Sequence, residues 1–211
     1  MYPDLTAREF LDYIGILKGI HKRTARQEIV DRLLEEVSLT QVAARKLKTY
    51  SGGMKRRAGI AQALLNNPQF LIVDEPTAGL DPEERIRFRN LLTTLAGNRT
   101  VLLSTHIVED IAQTCQNLAV MKSGRVVFQG TIAQLIGKAR GYVWVFTTRG
   151  SRPEEKWSTV SVLPTGVNTQ YRVVGEGRPT PDAQLVEPTL EDGYVWLMHA
   201  QSARVTCNSI G

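Results

Sequence analysis

Two adjacent carboxylates, Asp74 and Glu75, end the apolar run Phe70-Leu-Ile-Val73 and are followed by Pro76. At the C-terminal edge of a buried strand such a pair can divide the work of a nucleotide hydrolase. One carboxylate holds Mg2+ while its neighbour orients or deprotonates the attacking water. An acidic strand-to-turn junction is the plain structural alternative, and the surrounding residues weigh against it. Ser51-Gly52-Gly53-Met54-Lys55 stands 23 residues before Asp74, at the start of a helical pattern. Unpaired backbone amides and the positive end of the helix dipole make an anion site there, and glycines let a phosphate approach closely. Thr77-Ala-Gly-Leu-Asp81 follows the carboxylates directly, and Ser104-Thr-His106 closes the next apolar run. His106, just past a strand, reads as a functional imidazole rather than a satisfied core histidine.

The elements that must position these residues can be read from periodicity and caps. Thr6-x-x-Glu9 resembles a capping box before apolar residues at helical spacing, which predicts a helix over 7–19; Thr24-x-x-Gln27 suggests a second box before Val30, Leu33, Leu34 and Val37. The helix opened by Ser51 stops at Asn67-Pro68. The run from Phe70 to Val73 then reads as a strand buried on both faces of a parallel sheet. Asp81-Pro82 caps the next helix, which ends near Gly97, and Val101 to Leu103 is a second buried strand. Strand, helix, strand implies parallel neighbours. A hairpin through Lys122-Ser-Gly124, a short helix from Thr131 to Ile136, three β-rich stretches beyond Gly141 and a closing helix after Thr189 complete the pattern.

Taken together, these strings resemble the ABC ATPase family over residues 1–137. The resemblance implies a partial P-loop NTPase fold of the α/β class. A helical signature subdomain would occupy 1–66, a parallel-sheet lobe fragment 67–137, and a small β-rich appendage 138–211. It makes Ser51, Gly52, Gly53, Met54 and Lys55 the signature that closes over a partner's nucleotide, and Asp74 the Mg2+ ligand. Glu75 becomes the catalytic base, Asp81 the carboxylate of the loop at the dimer interface, and His106 the switch histidine at the γ-phosphate. Met54 and Lys55 stand where many relatives have glutamine. ATP and Mg2+ are the implied cofactors. The implied partners are a membrane permease, of the export type by the family's lean, and a second ATP-binding subunit; no nucleic acid is expected. The family's phosphate loop, Gly-x-x-x-x-Gly-Lys-Ser/Thr, does not occur in these 211 residues. Gly130 to Lys138 fails as a substitute, since its glycines are separated by six residues. The family's glutamine between the lobes would precede Tyr2. The expectation is therefore a chain that begins mid-domain and is incompetent alone.

Composition agrees with that reading without establishing it. The chain is 42% hydrophobic and 22% charged, with no run of the roughly 18–20 apolar residues that a spanning helix requires. Its start lacks the basic-then-apolar order of a secretory signal, so the expected location is the cytoplasm, and the resemblance implies a peripheral place there on the inner face of the membrane. The +5 net charge lies wholly before residue 61, where solvated helix faces explain it. Cys115 and Cys207 are far apart and read as buried or idle thiols. Two rivals stand beside the transporter reading. One is a degenerate or shortened partner of a complete subunit. The other is a DNA-associated ATPase of the same class, which needs coiled coils longer than the helices before Tyr50.

Overall fold

In the computed structural model, residues 2–150, 152–154 and 156–207 are described, 200–207 by backbone alone. They form two compact units that divide between Thr114 and Cys115. In the first, the Thr6 hydroxyl accepts the Glu9 amide at 3.2 Å, and the Glu9 carboxylate accepts the Thr6 amide at 2.8 Å. This reciprocal cap starts α1, Ala7–Leu17. The expected second box does not form. Helix α2, Arg23–Glu36, begins before Thr24, with Lys22 at its cap and no side-chain cap bond. The loop is held by Arg26 instead, whose guanidinium reaches Asp12 at 2.6 Å and the carbonyls of Ile20 and His21 at 2.9 and 3.2 Å. Its stem lies over Gly15, where a Cβ would collide with it.

Helix α3, Gly52–Leu64, is capped by Ser51, whose hydroxyl accepts the Met54 amide at 3.1 Å. Strand β1, Phe70–Asp74, and helix α4, Pro82–Ala96, lead to β2, Thr100–Ser104, and to α5, Val108–Thr114, a helix that the periodicity does not predict. β1 and β2 pair in parallel from Phe70↔Thr100 to Asp74↔Ser104. A parallel pair requires a crossover, and α4 supplies it, anchoring Phe88, Leu92 and Leu95 in one core with Phe10, Leu11, Leu34 and Leu64. The expectation of strands buried on both faces is corrected. Leu71 and Val73 enter this core, whereas Phe70, Ile72 and Leu102 are 52%, 64% and 52% exposed. Among the described residues the sheet has only these two strands, and its other face is largely exposed.

The second unit begins with the hairpin of β3, Asn117–Lys122, and β4, Arg125–Thr131. Positive φ at Ser123 and Gly124 matches the two-residue turn that a right-twisted hairpin favours. Helix α6, Ile132–Lys138, starts at the Thr131–Gln134 capping box. Strands β5, Val143–Thr148, β6, Ser158–Thr165, β7, Asn168–Val174, and the short β8, Gln184–Leu185, form an antiparallel sheet in the order β6-β7-β5-β8. Helix α7, Leu190–Cys207, closes the unit, and Gly193 lets it approach α6, since a Cβ there would lie 2.5 Å from the Leu135 carbonyl oxygen. The compositional change at 137/138 thus falls inside this unit. Cys115 is half-buried, while the Cys207 side chain lies outside the described residues.

Asp192 ties α7 to the sheet. Fully buried, it accepts Arg172 Nη2 at 2.6 Å and Nε at 2.9 Å, and it also receives the amide and hydroxyl of Thr189 at 2.6 and 2.8 Å. Burial pushes its pKa up, but the hydrogen bonds from Arg172 and Thr189 and the Arg172 charge outweigh burial and hold it below the ordinary 3.8. A depressed folded-state pKa contributes stability that is present above 3.8 and lost as pH falls through the folded value. Asp192→Ala should cost about 1–3 kcal/mol in denaturant unfolding of this unit, because it removes the carboxylate that the half-buried Arg172 guanidinium and the Thr189 amide and hydroxyl engage. Below pH 4 the difference between wild type and variant should shrink, which titrated melts would measure.

Candidate functional site

The parallel register sets the site. With Asp74 opposite Ser104, the next amide, of Glu75, donates to the Ser104 carbonyl at 2.8 Å and extends the ladder by one bond. Glu75 then takes a φ of +43°, a left-handed conformation uncommon outside glycine and costing on the order of 1–3 kcal/mol. The turn brings its carboxylate to the loop after β2. Glu75 Oε1 accepts the His106 amide at 3.1 Å and lies 2.7 Å from His106 Nδ1; Oε2 accepts the Thr105 hydroxyl at 3.4 Å. A carboxylate facing Nδ1 favours the proton there and leaves Nε2 outward. The His106 side chain is 77% exposed and that of Glu75 35%, so the pair is open to a ligand.

Asp74 ends β1, exposed, and among the described residues no hydrogen bond or ion pair engages its carboxylate. A carboxylate without a protein partner fits Mg2+, which is usually held by one or two carboxylates together with phosphates and water rather than by a protein cage. No cluster of three or more metal-ligating side chains occurs among the described residues.

The five residues from Ser51 to Lys55 divide by orientation. Ser51, Gly52 and Lys55 are exposed, and Met54 packs on the core. Gly52 has open space around it, whereas Gly53 is buried against the Glu84 side chain and a Cβ would overlap it. Gly52 is thus the exposed, unobstructed residue at the start of a 13-residue helix, while the Met54 amide is taken by the Ser51 hydroxyl. Among the described residues none of these five hydrogen-bonds to Asp74, Glu75 or His106; they and the carboxylates form two separate parts of the surface. Asp81 is engaged in capping α4, accepting the Glu84 amide at 2.9 Å.

Residues that periodicity passed over join the parts. Arg56, directly after Lys55 on α3, donates to the Pro76 carbonyl at 2.6 Å and to the Ala78 carbonyl. Thr77, between them, donates its hydroxyl to Asp110 of α5, and Arg89 of α4 lies 3.4 Å from the other Asp110 oxygen. Arg57 spans the Val37 and Ser38 carbonyls at 3.2 and 3.1 Å and Glu84 at 3.4 Å. In the sequence both arginines look like solvated charge. Only their place just after the glycines hinted otherwise.

A family model described as ABC transporter matches residues 1–78, a span that holds both Ser51–Lys55 and Asp74–Glu75. An uncharacterized ABC transporter ATP-binding protein, YxlF of Bacillus subtilis (strain 168), is 40% identical over 156 residues, 74% of this chain and 52% of its own length. This chain belongs to the ABC transporter ATP-binding family. The Nod factor export ATP-binding protein I of Ralstonia nicotianae is 39% identical over 135 residues, covering 64% of this chain and 42% of the relative. An ABC transporter ATP-binding protein of Synechocystis, sll0415, is 39% identical over 144 residues and covered to 40%. The chain thus spans about half the length, or somewhat less, of these relatives. Its first unit is accordingly an α/β portion of the P-loop NTPase fold of ABC ATPases.

The two glycines of this ABC sequence should respond differently to the same substitution. Gly53→Ala should destabilise the first unit by about 1–3 kcal/mol, as overpacking does, because Glu84 must leave its place between Arg57 and Arg87. Gly52→Ala, in open space, should leave chemical denaturation midpoints within about 0.5 kcal/mol of wild type.

Proposed function

We propose that the chain contributes the hydrolytic and signature groups of an ABC transporter's ATP-binding subunit, which couples ATP hydrolysis to transport through a separate permease. The single observation that carries this reading is the Glu75 carboxylate, held by the His106 amide and imidazole at the C-terminal edge of a parallel strand, directly beside an unengaged Asp74. In that arrangement Glu75 is the general base for the attacking water and His106 presents Nε2 to the terminal phosphate. Asp74 holds the Mg2+ that, when bound, offsets phosphate charge. Ser51–Lys55 face a nucleotide on a second ATP-binding subunit, and Asp81 lies in the loop between the sites. Hydrolysis belongs to the complete assembly, in which a phosphate loop cradles the nucleotide; these 211 residues contain no such string and are not competent by themselves.

The permease as partner draws support from the surface of α1. Tyr13, Ile16 and Leu17 are exposed at helical spacing, and Tyr2 packs edge-on to Tyr13 at 5.4 Å beside a hollow of about 430 Å3 that also includes Pro3 and Leu5. Exposed apolar residues grouped in this way, with Asp4 at the edge of the hollow, favour an interaction surface. No helix among the described residues is long and apolar enough to cross a membrane, so transport requires another chain or segment to do so. The Nod factor export relatives favour export as the direction, and the transporter reading itself puts the subunit on the cytoplasmic face.

In the assembled subunit, Glu75→Gln should lower steady-state ATP hydrolysis about a hundredfold or more while Mg-ATP affinity changes little, since the substitution removes a base and keeps its shape. Undiminished turnover would reduce Glu75 to a strand-end acid and overturn the proposal.

A further inference from the structure

We propose that Thr77 and Asp110 are positioning residues for the Glu75–His106 pair, through a buried hydrogen bond that locks the loop after β1 to the first turn of α5. The proposal rests on the hydrolytic reading of that pair. Asp110 is 1% exposed and Thr77 is 1% exposed, yet neither faces the open site. A buried carboxylate is costly unless its oxygens are engaged, and these are: one accepts the Thr77 hydroxyl and the other faces Arg89 Nη1. The Arg89 guanidinium is shared with Glu109 at 3.6 Å.

The bond has short tethers on both sides. Thr77 follows Glu75 by two residues, and the Ala78 amide donates to the Glu75 carbonyl at 3.4 Å, closing a tight turn around it. Arg56 fixes the carbonyls on either side of Thr77. Asp110 follows His106 by four residues, its amide donating to the Ile107 carbonyl at 3.2 Å, while the Asp110 carbonyl accepts Thr114 Oγ1 at 2.6 Å. A displacement of α5 therefore carries His106 with it, and a displacement of the loop carries Glu75. An apolar contact at this place would fill space equally well, but only a directional bond fixes the separation of the two loops. The strand register brings the pair together, but its own bonds run through exposed or half-buried groups, and the buried bond adds a second, solvent-shielded tie between the two loops.

Thr77→Val removes the hydroxyl at nearly constant shape, and Thr77→Ser keeps it. In the nucleotide-free 211-residue chain, selective 15N labelling reads its three histidines individually at one pH. The ring resonances of His106 should move in Thr77→Val and return to the wild-type position in Thr77→Ser, with His21 and His199 unchanged in both. In the complete assembly, Thr77→Val should lower kcat by about tenfold to a hundredfold, the scale of a small misplacement, with KM for ATP unchanged and Thr77→Ser close to wild type. An unmoved His106 in Thr77→Val, or Thr77→Ser behaving like Thr77→Val, would overturn the proposal. So would unaltered kcat in an assay where Glu75→Gln abolishes hydrolysis. Should Glu75→Gln be without effect, the hydrolytic reading itself fails, whatever the histidine resonances show.

Discussion

The parallel pairing of β1 with β2 is the constraint from which the rest follows. Glu75 and His106 are 31 residues apart in the chain, and they meet because Asp74 stands opposite Ser104. A shift of one residue in that register would turn the alternating side chains over, moving Leu71 and Val73 out of the core and sending the carboxylates to the wrong face. The core residues on the buried face therefore fix the chemistry at the strand's end. The left-handed backbone at Glu75 is the strained step in this arrangement. It is offset locally by the amide bond to Ser104 and by the bonds that the carboxylate accepts from Thr105 and His106.

Around that register the first unit uses arginine and threonine as connectors. Arg26 closes the α1–α2 loop, Arg57 holds the end of α2 against α3 and α4, and Arg56 extends from the signature helix to the loop after Glu75. Guanidinium suits this work, since its planar fork can satisfy several carbonyls that no regular element pairs. The result is a direct mechanical path from α3, whose first residues are the Ser51–Lys55 string, to the loop that follows Glu75. That path is physical rather than statistical, because each step is a bond between named groups.

Much of this was legible in the sequence wherever the signal is local. The caps at Thr6, Ser51, Asp81 and Thr131 act between residues three apart, and all four form. Asp74, Glu75 and His106 stand out because Asp74 ends β1, Glu75 follows it directly and His106 lies two residues past β2, while the roles given to them rest on the proposed function. The Thr24 box was misleading because α2 starts where Arg26 can reach Asp12 and two loop carbonyls, a condition set by residues up to 14 positions away. The apolar run in β1 announced a strand with two apolar faces, but composition cannot tell what covers the second. Arg56 and Asp110 were illegible for a similar reason. Their partners lie 20 to 33 residues off, and alone each looks like an ordinary surface charge.

The claim that Glu75 and His106 form one hydrolytic centre, made by the β1–β2 register, is tested most directly by a double-mutant cycle on hydrolysis in the complete assembly. Glu75→Gln, His106→Ala and the double variant would be compared with wild type under saturating Mg-ATP. Residues that act as a unit are non-additive, so the double variant should turn over about as slowly as the worse single one. Losses that multiply across the two substitutions would mean that Glu75 and His106 act independently, and would contradict the account.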